Sequence, residues 1–238
     1  MPKRASRLVG LVLACCLAAA SLGAGRAALA ASGGKGSNPG APDIISAATT
    51  VETDAKQVAK DMVAAVKSRS AVHAELTTQG ADLVSQQTDE QQEESLPLSS
   101  PPLCTQVRSV QLAYGVEGLA FSRVQQDEST FDSLNAQYQS NLAEVASEVI
   151  QLSGDIDNLV ATIAQYKGYK MPKIPVELYG KDNVKDLVKV GQAFLKASNI
   201  VPDTLAEQEK TLMTRATAVN QDAQKVDAKA SSQGCTGP

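Results

Sequence analysis

The sequence predicts an all-α fold, an elongated antiparallel bundle of about four helices with long coiled-coil-like members. Three observations predict it. Apolar residues recur at alternating spacings of three and four through most of the chain, the mark of one buried helix face. Helix-breaking prolines gather in a few short segments, at Pro97, Pro101 and Pro102, at Pro172 and Pro175, and at Pro202. Alternation at period two appears at Ile174, Val176 and Leu178, as in a short extended segment laid on a surface.

The elements follow in order. Residues 1–30 read as a signal peptide: Lys3, Arg4 and Arg7 precede the apolar run LVGLVLACCLAAASLGAG, and Ala28-Leu29-Ala30 offers small residues for cleavage near Ala30. Residues 31–43, rich in Gly, Ser and Pro, read as a flexible lead-in, and 44–238 as a single helical domain. A long helix is expected over about 44–87, its stripe running through Ile44, Ala48, Val51, Ala55, Val58, Met62 and Val66, then less cleanly through Leu76 and Leu83. The acidic, proline-bearing stretch 88–103 reads as a solvated loop.

A second long helix is expected over about 104–167. Leu142, Val149, Ile156 and Ile163 fall at a positions and Val145, Leu152, Leu159 and Tyr166 at d positions of a heptad seam. The same face extends upstream through Tyr138, Phe131, Phe121 and Tyr114. Gly115 and Gly118, and the start-like pattern Ser129-Thr130-Phe131-Asp132, mark places where this helix could divide in two. Gly168 suits a C-cap. Residues 168–181 read as an extended strap on the helices, with Tyr169, Met171 and Tyr179 as candidate partner-binding side chains. Helices at about 182–198 and 203–230 complete the set, the second with Pro202 at its first turn and a stripe of Leu205, Leu212, Ala216, Val219, Ala223, Val226 and Ala230.

Charge and chemistry narrow the function. The chain carries a formal charge of −4, and loss of Lys3, Arg4, Arg7 and Arg26 with the signal peptide, which holds no acid, brings it to −8. An acidic surface suits neither a phosphate backbone nor an anionic lipid. One histidine, His73, sits beside a helix stripe, so no zinc constellation and no Cys–His pair is expected. The run Gly154-Asp155-Ile156-Asp157-Asn158 begins like a calcium loop but continues with Leu159 and Val160, so no metal is expected there. No catalytic residue, cofactor or small-molecule substrate is evident, and long helical surfaces offer little concave volume for one.

These readings favour a non-enzymatic exported interaction protein of the periplasm or cell surface, with other envelope proteins as partners. A periplasmic holdase or adapter, or an envelope hydrolase using a carboxylate pair, are the alternatives. The layout, a long helical pair with a smaller helical appendage on an exported chain of about 200 residues, resembles the minor pilus-tip components of bacterial type IV secretion and conjugation systems. The resemblance implies a place in an envelope-spanning apparatus.

Cys104 and Cys235 are the two cysteines left after cleavage, and an exported chain with an even count suggests a disulfide. Pairing within one chain requires the two Cα atoms to lie within about 7 Å, so the last helix must return to the proline-loop end of the second. Two thiols, or a bond between chains, are the rival arrangements.

Overall fold

The computed structural model describes residues 41–166, 184–233 and 235. The signal peptide, most of the lead-in, Gly168, and the strap with Tyr169, Met171 and Tyr179 lie outside the described residues. What is described is all-α, in four helices: α1 (Ala41–Ser95), α2 (Cys104–Ala164), α3 (Val184–Ser198) and α4 (Val201–Ser231). None of these is long and apolar enough to cross a membrane.

The helix ends follow local chemistry. α1 begins at Ala41, inside the expected lead-in, because Pro42 fits a first turn and Asp43 favours the positive end of the helix dipole. It continues to Ser95, eight residues past the expected end at 87. The stretch 88–95 is acidic but holds no proline, and its Glu and Gln residues are good helix formers. The stop comes at Leu96, because a residue preceding proline is pushed out of the helical region. The connection is therefore residues 96–103, with a cis Ser100–Pro101 peptide, rather than 88–103. α2 opens with half of a capping box: the Leu103 N–H donates to Gln106 Oε1 at 3.0 Å.

α2 is unbroken from Cys104 to Ala164. Neither Gly115 and Gly118 nor the Ser129–Asp132 pattern divides it. Each interior glycine costs about 1 kcal/mol relative to alanine, which packing of the opposite face outweighs. α3 and α4 are separated only by the turn at Asn199 and Ile200, and Pro202 occupies the first turn of α4.

The chain forms two compact units: unit 1 takes its described residues from 41–67 and 139–200, and unit 2 from 68–138 and 201–238. In unit 1 the first part of α1 runs antiparallel to the last part of α2. Asn141 Nδ2 reaches the Ala64 carbonyl, Gln151 Nε2 reaches Asp54, and the Tyr166 hydroxyl donates to Asp43. The core is aliphatic. Val51, Val58 and Met62 of α1 and Val145, Leu152 and Leu159 of α2 are fully buried. Val66, expected on the stripe, is only half-buried, and Ala65 takes the inner position. Ile163 and Tyr166, the last expected seam residues, are also half-buried. α3 contributes Val184 and Leu187, and brings Gly191 so close that an added Cβ would stand 2.5 Å from Val149 Cγ2.

Unit 2 is a three-helix arrangement of the second part of α1, the first part of α2, and α4. Leu83, Val124 and Ala216 form one apolar cluster, flanked by Phe121, Leu212 and Met213. Val107, Val110 and Ala230 form another, closed by Leu96, Leu98, Val226 and Cys235. These pairings make α2 antiparallel to both α1 and α4. The end of α4 thus returns to the start of α2, as a bond between Cys104 and Cys235 demands. That disulfide is formed, with a Cα–Cα distance of 5.3 Å across a sequence separation of 131. Between the two clusters α1 turns Gln86, Glu90 and Glu93 inward and α2 turns Glu117 inward, beside the small buried side chains of Ala120 and Ala223, so a long apolar coiled-coil seam does not run through this unit.

Candidate functional site

Two features of unit 2 stand out on opposite faces of the same turns of α2. The outward one is an apolar stripe. Leu112, Val116 and Leu119, spaced i, i+4 and i+7, lie on one face of α2, and are 74, 52 and 67 % exposed. Gly115 lies between them, and a side chain added at Gly115 or Gly118 would meet nothing within 4 Å. One turn beyond each end of the stripe stands an exposed arginine, Arg108 before Leu112 and Arg123 after Leu119. Arg123 also acts on Asp127, one turn further along.

The inward feature is a layer of amides and carboxylates contributed by all three helical segments. Gln79, Gln86, Glu90 and Glu93 of α1, Glu117 and Asn135 of α2, and Glu209 of α4 are buried. Three hydrogen bonds knit part of the layer. Gln79 Nε2 donates to Glu209 Oε1 at 3.1 Å, and Gln86 Nε2 donates to Glu117 Oε1 at 2.7 Å and to the Ala216 carbonyl at 3.0 Å. Both oxygens of Glu93 and the second oxygen of Glu117 are buried with no hydrogen-bond partner.

Burial raises the pKa of every carboxyl group in this layer, because a charge there loses its hydration. Glu93 is pushed up to about 7 by burial, then by the negative charges of Asp227, Glu117, Glu90 and Glu94. Glu90 is raised by burial and by Glu94 beside it. Burial also raises Glu117 and Glu209, while the amides of Gln86 and Gln79 pull each back. Asp127 rises to about 6, mainly through burial and then through Asp82 and Glu75. Among the described residues no three His, Cys, Asp or Glu side chains are arranged to hold a metal ion. The sole histidine, His73, is exposed on α1.

Unit 1 has one comparable spot. Asp54 of α1 is raised to about 6, first by burial and then by sharing a hydrogen bond with Asp155 of α2. Asp155, in the run 154–158 that begins like a calcium loop, therefore supplies a carboxyl partner for Asp54 within the helix pair.

Neither feature of unit 2 was singled out from the sequence, although both carried a signal. Leu112, Val116 and Leu119 are a second apolar stripe on a helix whose core face is already taken by Val110, Val124 and Phe131. The buried polar layer keeps the core spacing: Gln79, Leu83, Gln86, Glu90 and Glu93 recur at four and three, with polar residues at four of the five positions. Glu209 likewise fills the gap of seven between Leu205 and Leu212 on α4.

The fold and these two surfaces define an all-helical protein with a disulfide-closed module. The chain matches no protein-family model, no curated protein and no solved structure.

Proposed function

We propose that the protein is a non-enzymatic, exported interaction protein, an extracytoplasmic component of a bacterial envelope-spanning secretion or conjugation apparatus, and that the outward stripe of α2 receives its partner. The observation that carries this reading is the pairing of an exposed apolar stripe with an arginine one turn beyond each end. The occupant it fits is a segment of another envelope protein with an apolar centre and acidic ends. A second copy fits poorly. Antiparallel self-pairing about the centre of the stripe sets Arg108 against Arg123, and parallel self-pairing sets like residues side by side. Like charges so placed suppress association, whereas acidic ends gain from both arginines. The signal-like N-terminus and the disulfide support an oxidising compartment outside the cytoplasm. An elongated antiparallel bundle of about four helices with coiled-coil-like packing belongs to the same proposal. The 55 and 61 residues of α1 and α2 support it, and small-angle scattering tests it.

The docking test uses the oxidised protein and a labelled synthetic helical peptide with leucines at i, i+4 and i+7 and glutamates one turn beyond each end. Fluorescence anisotropy should show saturable binding, weakened at least about tenfold by Val116→Asp, a change at an exposed position that leaves the fold intact. A peptide with lysines in place of the glutamates should bind more weakly. No binding, or binding indifferent to Val116→Asp, overturns the docking role. So does a dimer in sedimentation that Val116→Asp dissolves, since the stripe would then be covered by a second copy. Mass analysis of the protein recovered from the periplasm should find a chain beginning near Ala31. Retention in the cytoplasm with Met1 intact overturns the export reading, and turnover of an envelope polymer overturns the non-enzymatic one.

A further inference from the structure

We propose that unit 2 is a proton-sensitive module: uptake of protons by Glu90, Glu93 and Glu117 tightens its interior, and their ionisation loosens it. The geometry carries this. Glu93 and Glu117 are wholly buried, and Glu90 nearly so. They project from two helices into one layer, and three of their oxygens, two on Glu93 and one on Glu117, have no hydrogen-bond partner. A buried carboxylate in that state has lost its water and gained nothing in return, whereas the protonated acid is neutral and can donate.

The principal charges facing these groups are all negative. From α1, Glu93 faces Glu90 and Glu94; from α2, Glu117; and from α4, Asp227. Glu90 faces Glu94 on its own helix, Glu117 on α2 and Asp222 on α4. Glu117 faces Asp89 across the interface, with only the neutral Gln86 amide donating to it. No lysine or arginine figures among the principal charges acting on these three groups. Lys225, the near cation of α4, is engaged with Asp222 at 2.6 Å on the exposed side. The arrangement therefore differs from a buried ion pair, in which each charge is answered.

The direction follows from linkage. An acid whose folded pKa lies above its unfolded value binds more protons in the folded state, so stability falls as pH rises. For Glu93 the stabilisation is complete below the unfolded value of 4.5, erodes as pH climbs, and is gone above about 7. Glu90 and Glu117 shift in the same direction and add to the effect. The three groups titrate as a linked set, because each raises the cost of ionising its neighbours. Glu117 lies on the turn between Val116 and Leu119, so loosening of this layer would disturb the outward stripe. That consequence rests on the proposed docking role, whereas the stability change does not.

Hydrogen exchange on the oxidised full chain, corrected for the intrinsic effect of pH, resolves the two units separately. Between pH 5 and pH 8 the opening constant of 104–137 and 201–230 should rise tenfold or more, the order expected of one group shifted by a unit or more. Over the same range 139–160 should change less. Glu93→Gln with Glu117→Gln, which cannot ionise, should hold unit 2 closed at pH 8 and remove most of the difference. Equal opening at both pH values, or an unaltered pH response in the double variant, overturns the proposal. If the double variant fails to fold, carboxyl-carbon NMR of the native chain decides. A Glu93 titration midpoint near 7 supports the switch, and one in the ordinary carboxylate range overturns it.

Discussion

Both units take two of their three helical segments from α1 and α2, yet the same helices present different chemistry to each interior. In unit 1, α1 buries Val51, Ala55, Val58 and Met62; in unit 2 it buries Gln79, Gln86, Glu90 and Glu93. The spacing of four and three persists while the residues at those positions change. Burying apolar area stabilises unit 1 at roughly 25 cal/mol per Å². A seam of amides and acids gains little by that route and incurs desolvation wherever a polar atom lacks a partner. The disulfide lies in unit 2, tying the start of α2 to the chain just past α4 beside the apolar cluster of Val107, Val110 and Ala230. Periodicity thus decides which face of a helix turns inward, and composition decides what holds that face in place.

The largest effect should come from removing that bond. Reduction, or Cys104→Ser with Cys235→Ser, opens a loop of 131 residues, worth about 5 kcal/mol in the chain-entropy treatment. The loss should fall on unit 2, with hydrogen exchange in 201–230 rising far more than in 139–160. An equal rise in both units would mean that they unfold as one, and the contrast between them would lose its energetic meaning. Thiol quantitation of the exported protein before reduction should find Cys104 and Cys235 blocked.

A carboxylate placed in the other interior should come next. Leu152 of unit 1 is fully buried among aliphatic side chains. Leu152→Asp loses apolar burial and adds an unpaired charge, at a cost of roughly 3–5 kcal/mol. Urea denaturation should show the loss, and it should be smaller in acid, where the new carboxyl group is neutral. If Leu152→Asp were tolerated at neutral pH as readily as Glu93 is tolerated in unit 2, the two interiors would not differ as argued.

The legibility of the fold divides along the same line. The helices of unit 1 could be read from Leu142 to Leu159 because apolar residues mark every buried seam position there. Cys104 and Cys235 announced the return of α4, since a bond between them brings the end of the last helix back to the start of α2. The extent of α1 past residue 87 was hidden because its inner face there is Gln86, Glu90 and Glu93, and a pattern search keyed to hydrophobicity treats these as solvent-facing. The stripe at Leu112, Val116 and Leu119 was hidden for the opposite reason: apolar residues on a helix are assigned to its core face unless that face is already full. Continuity of α2 past Gly115 and Gly118 depends on tertiary packing that propensity does not contain.

Glycines give the smallest and sharpest test. Gly191 and Gly118 both sit in helices, and both should gain about 1 kcal/mol of helix propensity on conversion to alanine. What the new methyl meets differs. At Gly118 it would find nothing within 4 Å, so Gly118→Ala should stabilise unit 2 by about 1 kcal/mol. At Gly191 it would stand 2.5 Å from Val149 Cγ2, a distance no relaxed contact adopts. Val149 is β-branched and on a helix, where one χ1 rotamer is strongly preferred, so its methyl cannot simply swing aside. Overpacking of this kind costs about 1–3 kcal/mol, and Gly191→Ala should therefore destabilise unit 1 despite the gain in propensity. Combining Gly191→Ala with Val149→Ala separates the two contributions. If steric conflict is the cause, the double variant should be more stable than the sum of the single effects, by on the order of 1 kcal/mol in thermal denaturation. Simple additivity would mean that α3 does not approach α2 as closely as Gly191 implies, and that unit 1 is held by its α1–α2 seam alone.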